Sequence, residues 1–354
     1  MNIDGKHVLV TGGTGSLGQV LVRRMLAGEF GEPEKVIVFS RDEARQHAMR
    51  LELLHFKFAA TDDVIFKTAN RCLQFRIGDV RDPASVRAAL AGVDVVVNAA
   101  AMKQVPSCEY FPEEAHQTNV TGAINLFNAV REMQRPPEVV VGVSTDKAVK
   151  PVNVMGITKA LQERVFIRAN LDCPNTRFVV VRYGNVIASR GSVVPLFLDQ
   201  IKAGGPLTVT DNRMTRFLVS LDQAVDVIAD AVAMAGRGDI YVPRASAARV
   251  LDLARALCEA GSNIPVEFTG IRPGEKLHEV LVSEEEISRT SLCGKNYVIH
   301  PMLPELSREI DARSVLKQEY SSENDLLDQD QLRLEVSPGG ALYHGLWVLN
   351  EGAF

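Results

Sequence analysis

Asp146 and Lys147 stand side by side, an acid next to a base, nine and eight residues before Met155, with Lys159 four residues beyond it. They belong to the stretch Ser144–Lys159, STDKAVKPVNVMGITK, which follows the apolar run Val139–Val143 and closes in helical spacing. An adjacent carboxyl and amine at the end of a buried strand can move two protons on one substrate, provided each pKa is shifted toward working pH, Asp up and Lys down. Their opposite charges push the other way, so desolvation by the substrate has to win. The plainer alternative is a solvated ion pair at a strand end.

A second chemical signal stands at the front of the chain. The β-branched run His7–Thr11 leads directly into Gly12-Gly13-Thr14-Gly15-Ser16-Leu17-Gly18 and then an amphipathic helix, Gln19–Leu26. Glycines at 12, 15 and 18 between strand and helix let the backbone approach a pyrophosphate at the positive end of the helix. Thr14, Ser16 and Leu17 share that turn. The second strand, Lys35–Phe39, ends in Ser40-Arg41 rather than in the acid that usually holds the ribose hydroxyls of NAD, which favours a 2′-phosphate and therefore NADP. Arg41 as a solvated loop cation is the competing reading.

The elements that must position these groups alternate regularly. Leu73–Ile77 runs into Asp79 and Val80, an adenine-side contact, and Pro83–Leu90 reads as helix. Asp94–Val97 runs into Asn98, Ala99 and Ala100, whose small side chains let the backbone lie against a cofactor. Glu113–Glu132 is a long helix carrying Asn119, either a buried structural amide or a site residue. With Val139–Val143 and Phe178–Val181 this gives six strands of an α/β fold, a doubly wound, mainly parallel sheet. Thr11, Ser40, Asp79, Asn98, Ser144 and Arg182 fall at the strands' carboxyl ends, where such sheets bind ligands. Beyond Arg182 the rhythm breaks into Gly-, Ser- and Pro-rich segments. Leu221–Met234 and Val250–Ala260 read as helices, Asp239–Val242 as a late strand, the chain past Gly294 as less regular, and Tyr320–Asp330 as acidic and exposed. The expected division is a dinucleotide-binding domain over 1–182 plus about 217–245, and a smaller substrate domain over about 183–216 and 246–354.

Composition narrows the function classes. With 46% hydrophobic residues and 23% charged, the 354-residue chain reads as an ordinary globular protein with ample core. A net charge of −5 gives no support to nucleic-acid binding. No apolar run approaches the roughly 20 residues of a membrane span, and the opening MNIDGKHVLV moves straight into a strand, so no signal peptide is expected. Five scattered cysteines with no CxxC predict neither a disulfide framework nor a metal site, and suit a cytoplasmic location.

The motifs TGGTGSLG, VFSRDEARQ, GDVRD, AAMKQVPSCEYFPEEAHQTNVTGA, STDKAVKPVNVMGITK, RYGNVIASRGSVVPLF, DNRMTRFLVSLDQAV and IRPGEKLHE, spread over roughly 6–291, resemble the extended short-chain dehydrogenase/reductase superfamily. More narrowly they resemble its UDP-N-acetylglucosamine 4,6-dehydratases of capsule and flagellin sugar synthesis. The resemblance implies a soluble enzyme with tightly bound NADP that oxidises a UDP-sugar at C4, eliminates water across C5 and C6, and returns the hydride to C6, with either outcome at C5. It implies Lys147 as the C5 base, Asp146 as the acid for the leaving hydroxyl, Thr145 on the C4 hydroxyl and Lys159 on the nicotinamide ribose. For the UDP-sugar it implies Arg182, Tyr183, Asn185, Arg190, Val194, Arg216, Arg272 and Glu275, with Lys103 and Gln104 near the sugar. A homo-oligomer, dimer or hexamer, is also implied. Most of the superfamily carries a tyrosine base where this chain has Met155, a thioether with no proton to give; some capsule-type dehydratases share the methionine. Two other readings stay open: a nucleotide-sugar epimerase on the same fold, and a non-catalytic NADP-binding regulator or scaffold.

Overall fold

The computed structural model describes residues 1–53, 72–187, 193–258, 264–307, 315–340 and 342. Arg190 and the end of the expected Val250–Ala260 helix lie outside the described residues.

Six strands follow the anticipated order: β1 (His7–Thr11), β2 (Lys35–Ser40), β3 (Leu73–Ile77), β4 (Val95–Asn98), β5 (Val139–Thr145) and β6 (Arg177–Tyr183). They pair in parallel, with β1 between β2 and β4, and the late strand Ile240–Pro243 joins β6, also in parallel. The valine-rich runs exist because both faces are covered. Leu9, Val96, Val140 and Phe178 enter one apolar layer, while Val8, Val97, Val141 and Val179 enter the other, following the two-residue period of a strand. The helix Val154–Asp172 begins at Asn153, whose side chain accepts the Gly156 N–H at 2.8 Å.

Three features depart from the sequence reading. Thr290–Cys293 and Asn296–Ile299 form a hairpin, turning at Gly294 (φ +58°), that extends the large sheet antiparallel from Ile240–Pro243 to make nine strands. The alternation there is weak because the hairpin covers the edge of a mostly parallel sheet. The expected single helix Glu113–Glu132 is interrupted by a π-helical turn, Gln117–Thr121, which aims Asn119 at Met102 and Thr158. Asn119 is therefore the structural amide of the two alternatives. Tyr320–Asp330, expected to be exposed, starts with a buried edge: Tyr320–Ser321 pairs with Val280–Val282, and Ser322 is fully buried. Tyr320 packs its partly buried ring at a tilt against Phe217 and edge-on to Tyr297, contacts that override the acidic composition around it.

Two smaller groupings lie outside the large sheet: Asn185–Val186, Thr215–Val219 and Ser246–Arg249 make three strands, and Leu207–Val209 pairs with Val266–Phe268. Among the described residues, no helix is long and apolar enough to cross a membrane.

Candidate active site

A cavity of about 840 Å³ runs along the carboxyl ends of the parallel strands. Its floor at one end is the glycine turn. Gly12 has φ +67°, and a side chain there would press on the backbone of Ala100 from 2.8 Å, so strand-end β1 and strand-end β4 meet only around a glycine. Gly15, Ser16, Leu17 and Gly18 open the helix Ser16–Leu26 toward the same space, with Thr14, Ala99 and Ala100 beside them. This is a cradle that a dinucleotide's pyrophosphate fits, at a helix start with no side-chain cap of its own. Ser40, Arg41, Asp79 and Val80 line the far end. Arg41 lies half exposed with its guanidinium 3.7 Å from Asp79, which is also held by Arg81 at 2.7 Å.

At the other end β5 finishes in Thr145, and the chain turns through Asp146–Ala148. Gly156 permits this turn to sit against the next helix, since any side chain there would overlap the Lys147 carbonyl oxygen. Asp146 is fully buried behind the cavity wall, while Thr145 and Lys147 line it. The Thr145 hydroxyl donates to Asp146 Oδ1 at 2.8 Å, and Lys147 Nζ donates to the same oxygen at 3.1 Å. Lys147 Nζ also lies 3.1 Å from Glu279 Oε1 and 3.5 Å from Asn185 Oδ1.

Burial raises the Asp146 pKa, against the opposing pull of Lys147 and the Thr145 hydrogen bond. Lys147 departs from expectation. Burial works against its ammonium, but two carboxylates, Asp146 and Glu279, outweigh burial and raise its pKa instead of lowering it. Lys159, buried with its amine 2.6 Å from Gln162 Oε1, is pushed by burial down to about 8. Met155 lines the cavity where the superfamily's tyrosine would stand, packed with Cys108 and Ala115.

Most of the other anticipated residues meet at this cavity: Lys103, Gln104, Tyr183, Asn185, Arg216, Arg272 and Glu275 all line it. Two do not. Val194 is buried in an apolar cluster with Ile187, Leu218 and Leu253. Arg182, expected at a phosphate, is 2% exposed and held in a fork between Glu163 (2.7 Å) and Glu286 (2.8 Å), with a further bond to the Leu281 carbonyl. A guanidinium so fully engaged has no donors left for a ligand. Glu279, which ends the IRPGEKLHE motif, was not among the expected site residues; the turn that holds Arg272 and Glu275 carries the stronger local signal.

The sheet order, the glycine cradle and the cleft over the strand ends define a Rossmann-like fold of the extended short-chain dehydrogenase/reductase type. The chain matches the family described as polysaccharide biosynthesis protein over residues 8–301 and belongs to that family. A relative from Rickettsia typhi, named UDP-glucose 4-epimerase, is 44% identical over 298 residues, 83% of this chain and 82% of that one. The crystal structure of Pen from Bacillus thuringiensis is 32% identical and superposes with a TM-score of 0.83, covering 95% of this chain and 98% of its own. A dTDP-glucose 4,6-dehydratase from Streptomyces venezuelae, solved with NAD, shares the fold at 24% identity and a TM-score of 0.62, over 77% of this chain and 86% of that one.

Proposed function

We propose that the protein is a UDP-N-acetylhexosamine 4,6-dehydratase working with bound NADP. The observation that carries this reading is the Thr145–Asp146–Lys147 turn, a hydroxyl, a buried acid with raised pKa and an amine linked by hydrogen bonds at the cavity. NADP, with its pyrophosphate on the Gly12 cradle and its nicotinamide ribose by Lys159, would supply the acceptor and donor of a hydride. Everything else is proton movement by the chain's own groups. The proton leaving the C4 hydroxyl passes to the Thr145 hydroxyl, which hands its own to Asp146. Lys147 acts in the fraction of molecules where it has lost its ammonium proton to solvent, a fraction its raised pKa keeps small near neutral pH, and takes the C5 proton made acidic by the neighbouring ketone. Asp146, through Thr145, protonates the departing 6-hydroxyl as water. Lys147 then returns its proton to C5 when C6 is reduced, so Asp146 and Lys147 both end as they began. Arg216, Arg272 and Lys103 would face the diphosphate and sugar.

This route gives Met155 no proton to carry. Met155→Leu, a swap of similar volume, should leave turnover within about threefold of the parent in steady-state assays. Arg41→Ala should weaken NADP about tenfold in a binding titration and leave NAD nearly unchanged, because only the 2′-phosphate asks for a guanidinium.

The second reading, a 4-epimerase, is favoured by the names of the curated relatives. Such an enzyme transfers a hydride at C4 and back to the other face, and has no use for an acid and a base serving C5 and C6. Incubating the purified protein with UDP-GlcNAc and with UDP-glucose, and reading the products by mass and by proton NMR, separates the two. Loss of one water supports the dehydratase; a product of unchanged mass with inverted C4 supports the epimerase.

A further inference from the structure

Glu279 has no part in the proton route above, yet it sits in the wall of the same cavity. It is 2% exposed, with Oε1 3.1 Å from Lys147 Nζ, and its Oε2 is buried without a hydrogen-bond partner. Its backbone is clamped from the far end of the chain: the Glu279 N–H donates to Ser322 Oγ at 2.9 Å, and the Ser322 N–H donates to the Glu279 carbonyl at 2.8 Å. Ser322 in turn bonds Thr215 at 2.7 Å. So much local order around one carboxylate fixes its distance to the amine. The charged groups that face the Lys147–Glu279 contact are Asp146, Arg216, whose Nε is 4.0 Å from Glu279, and Lys276, whose Nζ is 3.9 Å from it. Burial alone would raise the Glu279 pKa, but Lys147, Arg216 and Lys276 outweigh it and hold the carboxyl ionised.

We propose that Glu279 is a positioning residue that anchors the Lys147 amine between Asp146 and the cavity and offsets the neighbouring cations Arg216 and Lys276, so that Lys147 is a strong enough base to remove a carbon-bound proton. This rests on the dehydratase reading above. A carbon acid beside a ketone is weak, and a general base removes its proton faster as the basicity of that base rises. Two cations within reach of an amine weaken it as a base, while a fixed carboxylate against it restores that strength and stabilises the ammonium as it forms. The arrangement carries a cost: a more basic amine is protonated over a wider pH range.

That trade-off is testable with Glu279→Gln, which keeps the shape and removes the charge. The plateau kcat should fall roughly tenfold or more, while the acid limb of the kcat–pH profile, which reports Lys147 losing its proton, moves to lower pH by about one unit or more. Glu279→Asp, which keeps the charge, should leave the limb near its parental position even where kcat falls. An independent reading comes from the 13Cε resonance of Lys147, assigned with Lys147→Arg and titrated in the folded protein: its midpoint should drop by a similar amount in Glu279→Gln. A loss of kcat in both variants with neither the limb nor the resonance displaced would make Glu279 merely structural and overturn the proposal. If the parent protein made no dehydrated product while the Lys147 midpoint still dropped in Glu279→Gln, the charge relation would stand and the dehydratase reading would fall.

Discussion

Lys147→Arg should lower kcat by about 10²–10⁴-fold while leaving the protein folded and able to bind its nucleotides. Arginine is the informative replacement because it keeps a cation between Asp146 and Glu279. An uncharged side chain would leave two buried carboxylates facing each other and confuse lost chemistry with lost stability. A guanidinium stays protonated at any workable pH, so it can form both ion pairs but cannot accept a proton from carbon. The cavity-facing side of Lys147, 22% exposed, leaves room for the larger head group. The check is product formation measured beside a thermal melt. A melting temperature near the parent's with product formation gone is the expected pair of results; near-parental turnover would remove Lys147 from the chemistry.

Arg182→Met should destabilise the fold by about 3–5 kcal/mol, read from urea unfolding. The guanidinium is shared between Glu163 on the helix Val154–Asp172 and Glu286 after the strand Val280–Val282, and Ser144 donates to Glu163 at 2.6 Å. Removing the cation leaves two carboxylates buried, each of which must then take up a proton or draw in water. The same cluster places Ser144, the residue just before Thr145, so a loss of activity alongside the loss of stability is expected. A change below about 1 kcal/mol would mean the carboxylates find solvent easily, against their burial.

Arg182 also shows where sequence reading stops. Its position at the carboxyl end of β6 and its place in the RYGNV motif were legible, and both suggested a ligand. What decides its role is the approach of Glu163 and Glu286, separated from it by 19 and 104 residues, and no local pattern encodes that meeting. The parallel strands and the glycine turn were readable because they rest on short-range rules: β-branched runs for strands covered on both faces, and glycine where backbones must touch. The Thr145–Asp146–Lys147 turn was readable for the same reason. The state of Lys147 was not, because Asp146 and Glu279 together outweigh its burial, and Glu279 is brought in by a strand edge held by Ser322. Likewise the partial burial of Tyr320 arises from Phe217 and Tyr297, long-range partners that the acidic surroundings of Tyr320 gave no reason to expect.

In the proposed dehydratase reaction Lys147 removes and replaces the proton on C5 while water leaves from C6. Turnover of UDP-GlcNAc in deuterated water, followed by mass spectrometry and proton NMR of the product, tests it most directly. The expected product has lost one water and carries deuterium at C5, with both signals abolished together in Lys147→Arg. A product of unchanged formula, inverted at C4 and still carrying its original hydrogen at C5, would contradict it.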